Sequence, residues 1–321
     1  MLSRFRLAVR IQRFEVWSCV LLVAVVAITA LIVRARLAGV GAPVECLTPW
    51  IFPDVAYDAT RCDPLRAAFF GISRDEAGLV MTAMNALPLV VGLLLGVGLV
   101  GGEIEGGTAP TVWALAGSRR RWLTGRLVPM LLILVAVLAV AAIASEMLAA
   151  SRVPWQFGRP SFDDAGLHGP GVVARGLAAF GLALAVGAWS GRMLPAILLS
   201  ALVALFLAIG GHILLDTWVH ASAHDIEVPS WFNGDYDGGR FIGRRYYLPD
   251  GRILDTSFDV AALAPPGVDP DAWVASLKVV AIGVHSPDYP AWMVTEVVIF
   301  GAIGLAGSAA TYAIVERRRP F

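Results

Sequence analysis

Six stretches of this chain are each apolar over about twenty residues, and that feature excludes most folds a 321-residue protein can adopt. Crossing about 30 Å of hydrocarbon takes roughly 20 mostly apolar residues in a helix. The stretches are 16–38, 79–101, 127–149, 172–190, 194–215 and 292–315. Hydrophobic residues make up 57% of the chain and charged residues 16%, against about 25% charge in a soluble domain; the mean hydropathy is +0.71. The pattern predicts an all-α integral membrane protein with six transmembrane helices, because a helix satisfies its own backbone polar groups in lipid. Little more than Gly191 and Arg192 separates the fourth and fifth runs, which predicts a tight helical hairpin. The first run follows an arginine-rich lead and is too long for the apolar core of a cleaved signal, so it reads as a retained anchor.

The arginines orient the six spans. Arg4, Arg6, Arg10 and Arg13 precede the first, and Arg119, Arg120, Arg121 and Arg126 lie between the second and third. Arg192 lies between the fourth and fifth, and Arg317, Arg318 and Arg319 follow the sixth. With six spans all four groups share one side, which the positive-inside rule makes cytoplasmic, so both termini are expected there. Arg34 and Arg36 run against the rule but are placed to snorkel to headgroups. Loops 39–78, 150–171 and 216–291 then face outward. Basic and acidic residues balance at 25 each, which gives a nucleic-acid partner no electrostatic support. Lys278 is the only lysine, and this arginine, alanine and glycine bias points to a GC-rich bacterial genome and hence a bacterial cytoplasmic membrane.

The chain divides into four parts. Residues 1–15 set Leu2, Phe5, Val9 and Phe14 against Arg4, Arg6, Arg10 and Arg13, the pattern of an amphipathic helix lying in the membrane interface. Residues 16–215 hold five spans and the cytoplasmic segment 102–126. Residues 216–291 form a small structured extracellular segment, and 292–321 the sixth span and a basic tail. In the outer segment, Pro249-Asp250-Gly251 between Tyr246-Tyr247-Leu248 and Ile253-Leu254 predicts a hairpin, and Asp271 to Ile282 reads as a short helix. Cys46 and Cys62 both fall in the first outer loop, where either a disulfide or two free thiols are open readings. A disulfide closing a loop of about 15 residues stabilises by roughly 3 kcal/mol. Cys19 lies within the first span and reads as a small apolar residue.

Catalytic signatures are missing: the sequence holds no GxxxxGK[ST], GxSxG or HExxH, so it has no nucleotide loop of its own. His212, Asp216, His220 and His224 recur every fourth residue, and a pair at that spacing can chelate zinc. A helical row of four climbs about 18 Å, too far for one ion, so metal binding is not expected there and a polar or pH-sensitive helix end is. Glu146 and Glu296 fall in the outer quarter of their spans, either lining a wet cavity or snorkelling to the interface. Gly92, Gly96 and the run Gly301 to Gly307 permit close helix packing. In segment 102–126, Thr108 is positioned to N-cap a short helix with Pro110 in its first turn, Gly117 to end it, and Ser118 to cap the third span. That helix would display Trp113, either as an exposed docking knob or as an anchor lying flat in the interface.

The run Leu87-Pro88 through Gly92 and Gly96, Glu103-Ile-Glu105-Gly-Gly107-Thr108, Trp113 and Ser118-Arg119-Arg120-Arg121-Trp122-Leu123 resembles the type-2 ABC exporter permeases, actinobacterial members in particular. The end is similar too, with Pro287, Trp292, Glu296 and a helix closing on Arg317 to Arg319. The resemblance implies a permease subunit that is not itself an enzyme. Residues 103–113 would hold a coupling helix docking in a separate ATPase, with Glu103, Glu105, Gly107, Thr108, Thr111, Trp113 and Arg119 at the joint. The N-terminal amphipathic helix would be the connecting helix beside it. ATP and Mg would sit on two ATPase subunits, and a second permease, identical or homologous, would complete the complex. The competing reading is an ATP-independent membrane enzyme or sensor using the outer histidines and carboxylates.

Overall fold

The structure, a computed structural model, describes residues 10–49, 57–156, 161–162, 164–228 and 238–318. Arg4, Arg6 and most of the expected amphipathic helix lie outside the described residues; Arg10 and Arg13 are exposed at the entry to the first long helix.

Among the described residues, six helices are long and apolar enough to cross a membrane. The first is α1 (Arg13–Gly39). After the short α2 (Val44–Leu47), α3 (Ala59–Gly71) runs through a π-helical turn at Ile72–Ala77 into α4 (Gly78–Glu105). A seven-residue helix, α5 (Ala109–Leu115), precedes α6 (Arg119–Arg152). Then come α7 (Pro170–Ser190), α8 (Met193–Ser222) and, last in the chain, α11 (Tyr289–Arg317). Each of the six apolar runs lies inside one long helix. The loop expected over 39–78 is corrected from Ala59 onward, where the chain is already helical. Asp58 starts that helix by accepting from the backbone N–H groups of Thr60 and Arg61. Its polar sequence, with Thr60, Arg61, Asp63, Arg74, Asp75 and Glu76, hides it from a hydropathy reading. A Cys46–Cys62 disulfide ties α2 to α3, and Cys19 is a buried free cysteine in α1.

Helix α7 is the centre of the bundle because glycines let its neighbours' backbones touch it. A Cβ at Gly96 of α4 would sit 2.7 Å from the Phe180 carbonyl oxygen, and one at Gly304 of α11 2.6 Å from that of Leu177. Without an apolar-to-water driving force between helices in lipid, such close contact carries the association. Gly301, grouped with Gly304 and Gly307 by sequence, instead faces open space. Leu95, Leu99, Leu134, Leu138, Phe180 and Leu184 fill the interior around α7. The outer faces of α1 and α8 expose Trp17, Leu21, Ile28, Leu198, Leu202 and Phe206, a surface suited to hydrocarbon and not to water. Gly191, at φ +62°, makes the α7–α8 turn.

The segment after α8 is not a lone hairpin. It forms a four-stranded antiparallel sheet in the order β1-β4-β2-β3, from β1 (His224–Val228), β2 (Arg240–Tyr247), β3 (Ile253–Leu254) and β4 (Lys278–Val284). The expected hairpin is present, pairing Tyr246 with Leu254 around Gly251 at φ +84°. The helix expected over Asp271 to Ile282 is corrected: α10 (Pro270–Ser276) stops early and Lys278 opens β4, which pairs with both β1 and β2. Val279, Val280, Ile282 and Val284 make that stretch β-branched, which favours a strand once both edges have partners. With α9 (Ser257–Ala261) added, the segment is mixed α and β, and the chain is mostly helical, not all-α. The sheet rests on the helix ends through Val284, Val219, Phe162, Tyr289 and Trp292.

Candidate functional site

Two polar networks stand out, one at each end of the bundle. At the end opposite the sheet, Gly107 (φ +67°) and Gly117 (φ +75°) bracket α5 and fold it back under α4 and α6. Ser118 caps α6 by accepting from the Arg121 N–H at 3.2 Å. Thr108 does not cap α5 with its side chain; its hydroxyl turns back and bonds Glu103. Glu103 also pairs with Arg126 at 2.6 Å, both side chains 15% exposed. Glu105 accepts from the Met193 N–H at 2.7 Å, which caps α8 from a neighbouring helix.

Trp113 is not an exposed knob, as it is buried within the chain. It packs edge-on against Trp122 with ring centroids 6.0 Å apart, and the Arg119 guanidinium lies over it at 4.6 Å. Arg119 donates to the Val315 and Glu316 carbonyl oxygens at 2.9 Å, while Arg120 pairs with Glu316 and Arg318 bonds the Ala188 carbonyl. The side chains α5 turns outward are Pro110, Thr111, Ala114 and Leu115, the last 83% exposed. Sequence reasoning missed Leu115. Two residues on from Trp113 it lies about 200° round the helix, so once Trp113 is inward Leu115 must be outward.

In the half of the bundle nearer the sheet, Glu296 of α11 accepts from the Nε–H of Arg175 on α7 at 2.7 Å, the two side chains 2% and 4% exposed. Arg175 also donates through Nη1 to the Asn85 side-chain oxygen on α4 at 3.2 Å, and its guanidinium lies 5.6 Å from the Phe300 ring centre. Glycines make room for the pair: a Cβ at Gly171 would approach Glu296 Oε2 to 2.7 Å, and one at Gly166 would collide with the guanidinium. A charge so buried persists only when paired. Arg175 was missed in the sequence, although a lone arginine six residues into an apolar helix demands an anion by the same reasoning that singled out Glu296. Nearby, Glu146 Oε2 bonds His168 Nδ1 at 2.7 Å, and the His168 ring stacks on Tyr289 at 5.7 Å. Glu146 and Glu296 thus each have a specific imidazole or guanidinium partner.

The histidine row does not gather. His212, Asp216 and His220 lie exposed along α8, whereas His224 belongs to β1. Asp216 is engaged by Arg240 at 2.6 Å, and His220 bonds the Asp216 carbonyl of its own turn. Among the described residues, no group of three or more His, Cys, Asp or Glu side chains is placed to hold a metal ion.

Residues 17–220 match the model of a family described as ABC-2 membrane transporter related. The match takes in five of the six long helices, α5 and Arg175, and ends just short of the sheet. No curated protein and no solved structure matches the chain.

Proposed function

The chain belongs to the ABC-2 membrane transporter related family, and on that premise we propose that it is the permease subunit of an ATP-binding cassette exporter, its helices forming the substrate pathway. As a member it is the membrane subunit of an ABC transporter; the finer reading adds direction, partners and coupling. The match over 17–220 carries it, and the arrangement of the arginine end supports it. Arg10, Arg13, Arg119, Arg120, Arg121, Arg126, Arg192, Arg317 and Arg318 all belong to that end, which the positive-inside rule puts in the cytoplasm of a bacterial cell membrane.

In this reading two copies of a separate ATPase hold ATP and Mg, and a second permease copy or a homologue completes the complex. Helix α5 is the coupling helix, and Thr111 and Leu115 are the side chains it offers to the ATPase. Glu103, Thr108, Trp113 and Arg119 hold α5 against α4, α6 and α11, and Gly107 makes the turn. Glu105 links the same corner to α8. A push on α5 is therefore delivered to helices that hold both members of the Arg175–Glu296 pair, directly to α11 and through the α7–α8 turn to α7. The rival reading, a membrane enzyme or sensor using the outer histidines and carboxylates, is less supported, because His212, Asp216 and His220 are spread along α8 and His224 lies on β1.

The test is affinity purification of the tagged full-length chain in mild detergent, with mass spectrometry of what co-purifies. A stoichiometric subunit bearing a GxxxxGK[ST] loop is the expected result. A clean preparation lacking any ATPase, under conditions that keep other such transporters whole, overturns the proposal.

A further inference from the structure

A crevice of about 1350 Å³ lies between α6 and α11 with α7 as its floor. It exceeds the roughly 300–1,000 Å³ of sites for drug-sized ligands, and its shape has a direction. On α6 its wall runs from Ala139 to Arg152, and on α11 from Gly301 to Tyr289. At about 1.5 Å per residue each wall rises roughly 18–20 Å. That is the depth of one leaflet of a roughly 30 Å hydrocarbon core with the start of its headgroup layer. Ile143, Met147, Leu177, Met293 and Val297 line it, and the neighbouring Val140 and Val298 are exposed apolar side chains. In a bilayer that mouth opens onto acyl chains.

The lining changes character at the end nearest the sheet, where Arg74, Glu146, Arg152, Asp164 and His168 meet. The charges are mixed and only partly committed to one another. Glu146 gives Oε2 to His168 and keeps Oε1, with its side chain 57% exposed. Arg152 pairs with Asp164 through Nη1, yet its Nε–H is buried without an acceptor among the described residues. Arg74 is exposed and makes no ion pair among the described residues. Two guanidinium groups beside two carboxylates, one of them held by Arg152, suit a headgroup that is neutral overall but has separated charges. A phosphate takes charge-assisted bonds from arginine, and a primary ammonium donates to a carboxylate. An anionic headgroup without an amine could use the guanidinium groups but would leave Glu146 with no ammonium partner, and a quaternary ammonium has no N–H to donate.

We propose that this crevice binds one phosphatidylethanolamine of the leaflet at the sheet end, an acyl chain lying between α6 and α11 and the headgroup bridging Arg74, Arg152 and Glu146. The site needs the membrane-spanning bundle but not ATP coupling, so it stands or falls separately from the exporter reading.

The test is native mass spectrometry of the full-length chain in mild detergent, titrated separately with phosphatidylethanolamine, phosphatidylcholine and phosphatidylglycerol. One phosphatidylethanolamine per chain is expected, held at least tenfold more tightly than either of the others. Gly301→Trp and Val297→Trp each fill the deep end without touching a charge and should each weaken that binding at least tenfold. Glu146→Gln should remove the preference over phosphatidylcholine. Two Trp variants at separate positions keep the test informative if one of them misfolds. Unchanged binding in a folded Trp variant overturns the site, as does a preference for phosphatidylglycerol or the retention of an amphiphile that is not a phospholipid.

Discussion

The two polar networks of this bundle use the same residue types to opposite ends. Around α5, most of the arginines reach main-chain carbonyls and exposed carboxylates; Arg120 and Glu316, for example, are 71% and 40% exposed, while Arg126 and Glu103 are more enclosed at 15% each. Such pairs are screened by solvent and contribute little singly, so they fix the position of a surface helix without making any one charge indispensable. Between α7 and α11, Arg175 and Glu296 are 4% and 2% exposed. There, removing one partner strands the other in a medium that cannot solvate it, and that penalty far exceeds what the pair contributes together. The difference teaches where this chain tolerates motion. The α5 corner can exchange partners without stranding a charge, whereas α7 and α11 are tied as a unit.

The largest expected effect breaks or sharpens that contrast directly. Glu296→Gln alone, or Arg175→Met alone, should destabilise the chain by about 3–5 kcal/mol, and the double variant Arg175→Met with Glu296→Met should recover most of the loss. Thermal unfolding of the purified chain in one detergent, read as a double-mutant cycle, measures it. If the two single losses simply add, the charges do not act as a unit and the two ends of the molecule do not differ in kind.

Second in size is the split between the inward and outward sides of α5. Leu115→Arg should leave unfolding unchanged and weaken binding of the ATPase by about 30-fold, the scale of a hot spot worth about 2 kcal/mol. Trp113→Ala should instead lower the unfolding midpoint, because it removes packing against Trp122 and the platform under Arg119. Binding measured on immobilised chain, beside the melting curve of each variant, separates the two. The reverse pattern, Trp113→Ala losing the ATPase at full stability and Leu115→Arg keeping it, would put the docking surface on the face the structure buries.

These two ends were not equally legible in the sequence. The six spans were, because twenty consecutive apolar residues have few other uses, and so was the hairpin at Tyr246–Leu254, because Pro-Asp-Gly fixes a turn locally. Strands β1 and β4 were not: Glu227 opposes Val280 from 53 positions away, and the Val279–Val284 run satisfies a helix pattern as readily as a strand until its partners are known. The arginine end was marked by charge, yet α5 has only seven residues, too few for periodicity to show that Trp113 turns in and Leu115 out. At the buried pair each charge stands out in its own apolar helix, but neither names its partner. Glu296 and Arg175 are 121 positions apart, and nothing local in either helix announces the other.

The smallest effect belongs to the sheet and marks the lower limit of the scale. Lys278 on β4 reaches Glu227 on β1, with side chains 58% and 77% exposed. The hydrogen bond that Lys278 donates to Glu227 holds the carboxyl below its ordinary value and the ammonium above its own. A depressed carboxylate stabilises the fold above its unfolded pKa, about 4.3, and loses that contribution as pH falls through the lower folded value. A raised lysine contributes below its unfolded pKa, about 10.4, and loses the contribution as pH rises through the higher folded value. The melting difference between the native chain and Glu227→Gln should therefore be small and flat around neutrality. It should close on the acid side below about pH 4 and shrink as salt is added. A difference that matched the single variants of the Arg175–Glu296 pair, or that ignored salt, would place an exposed pair in the class of the buried one and dissolve the distinction between them.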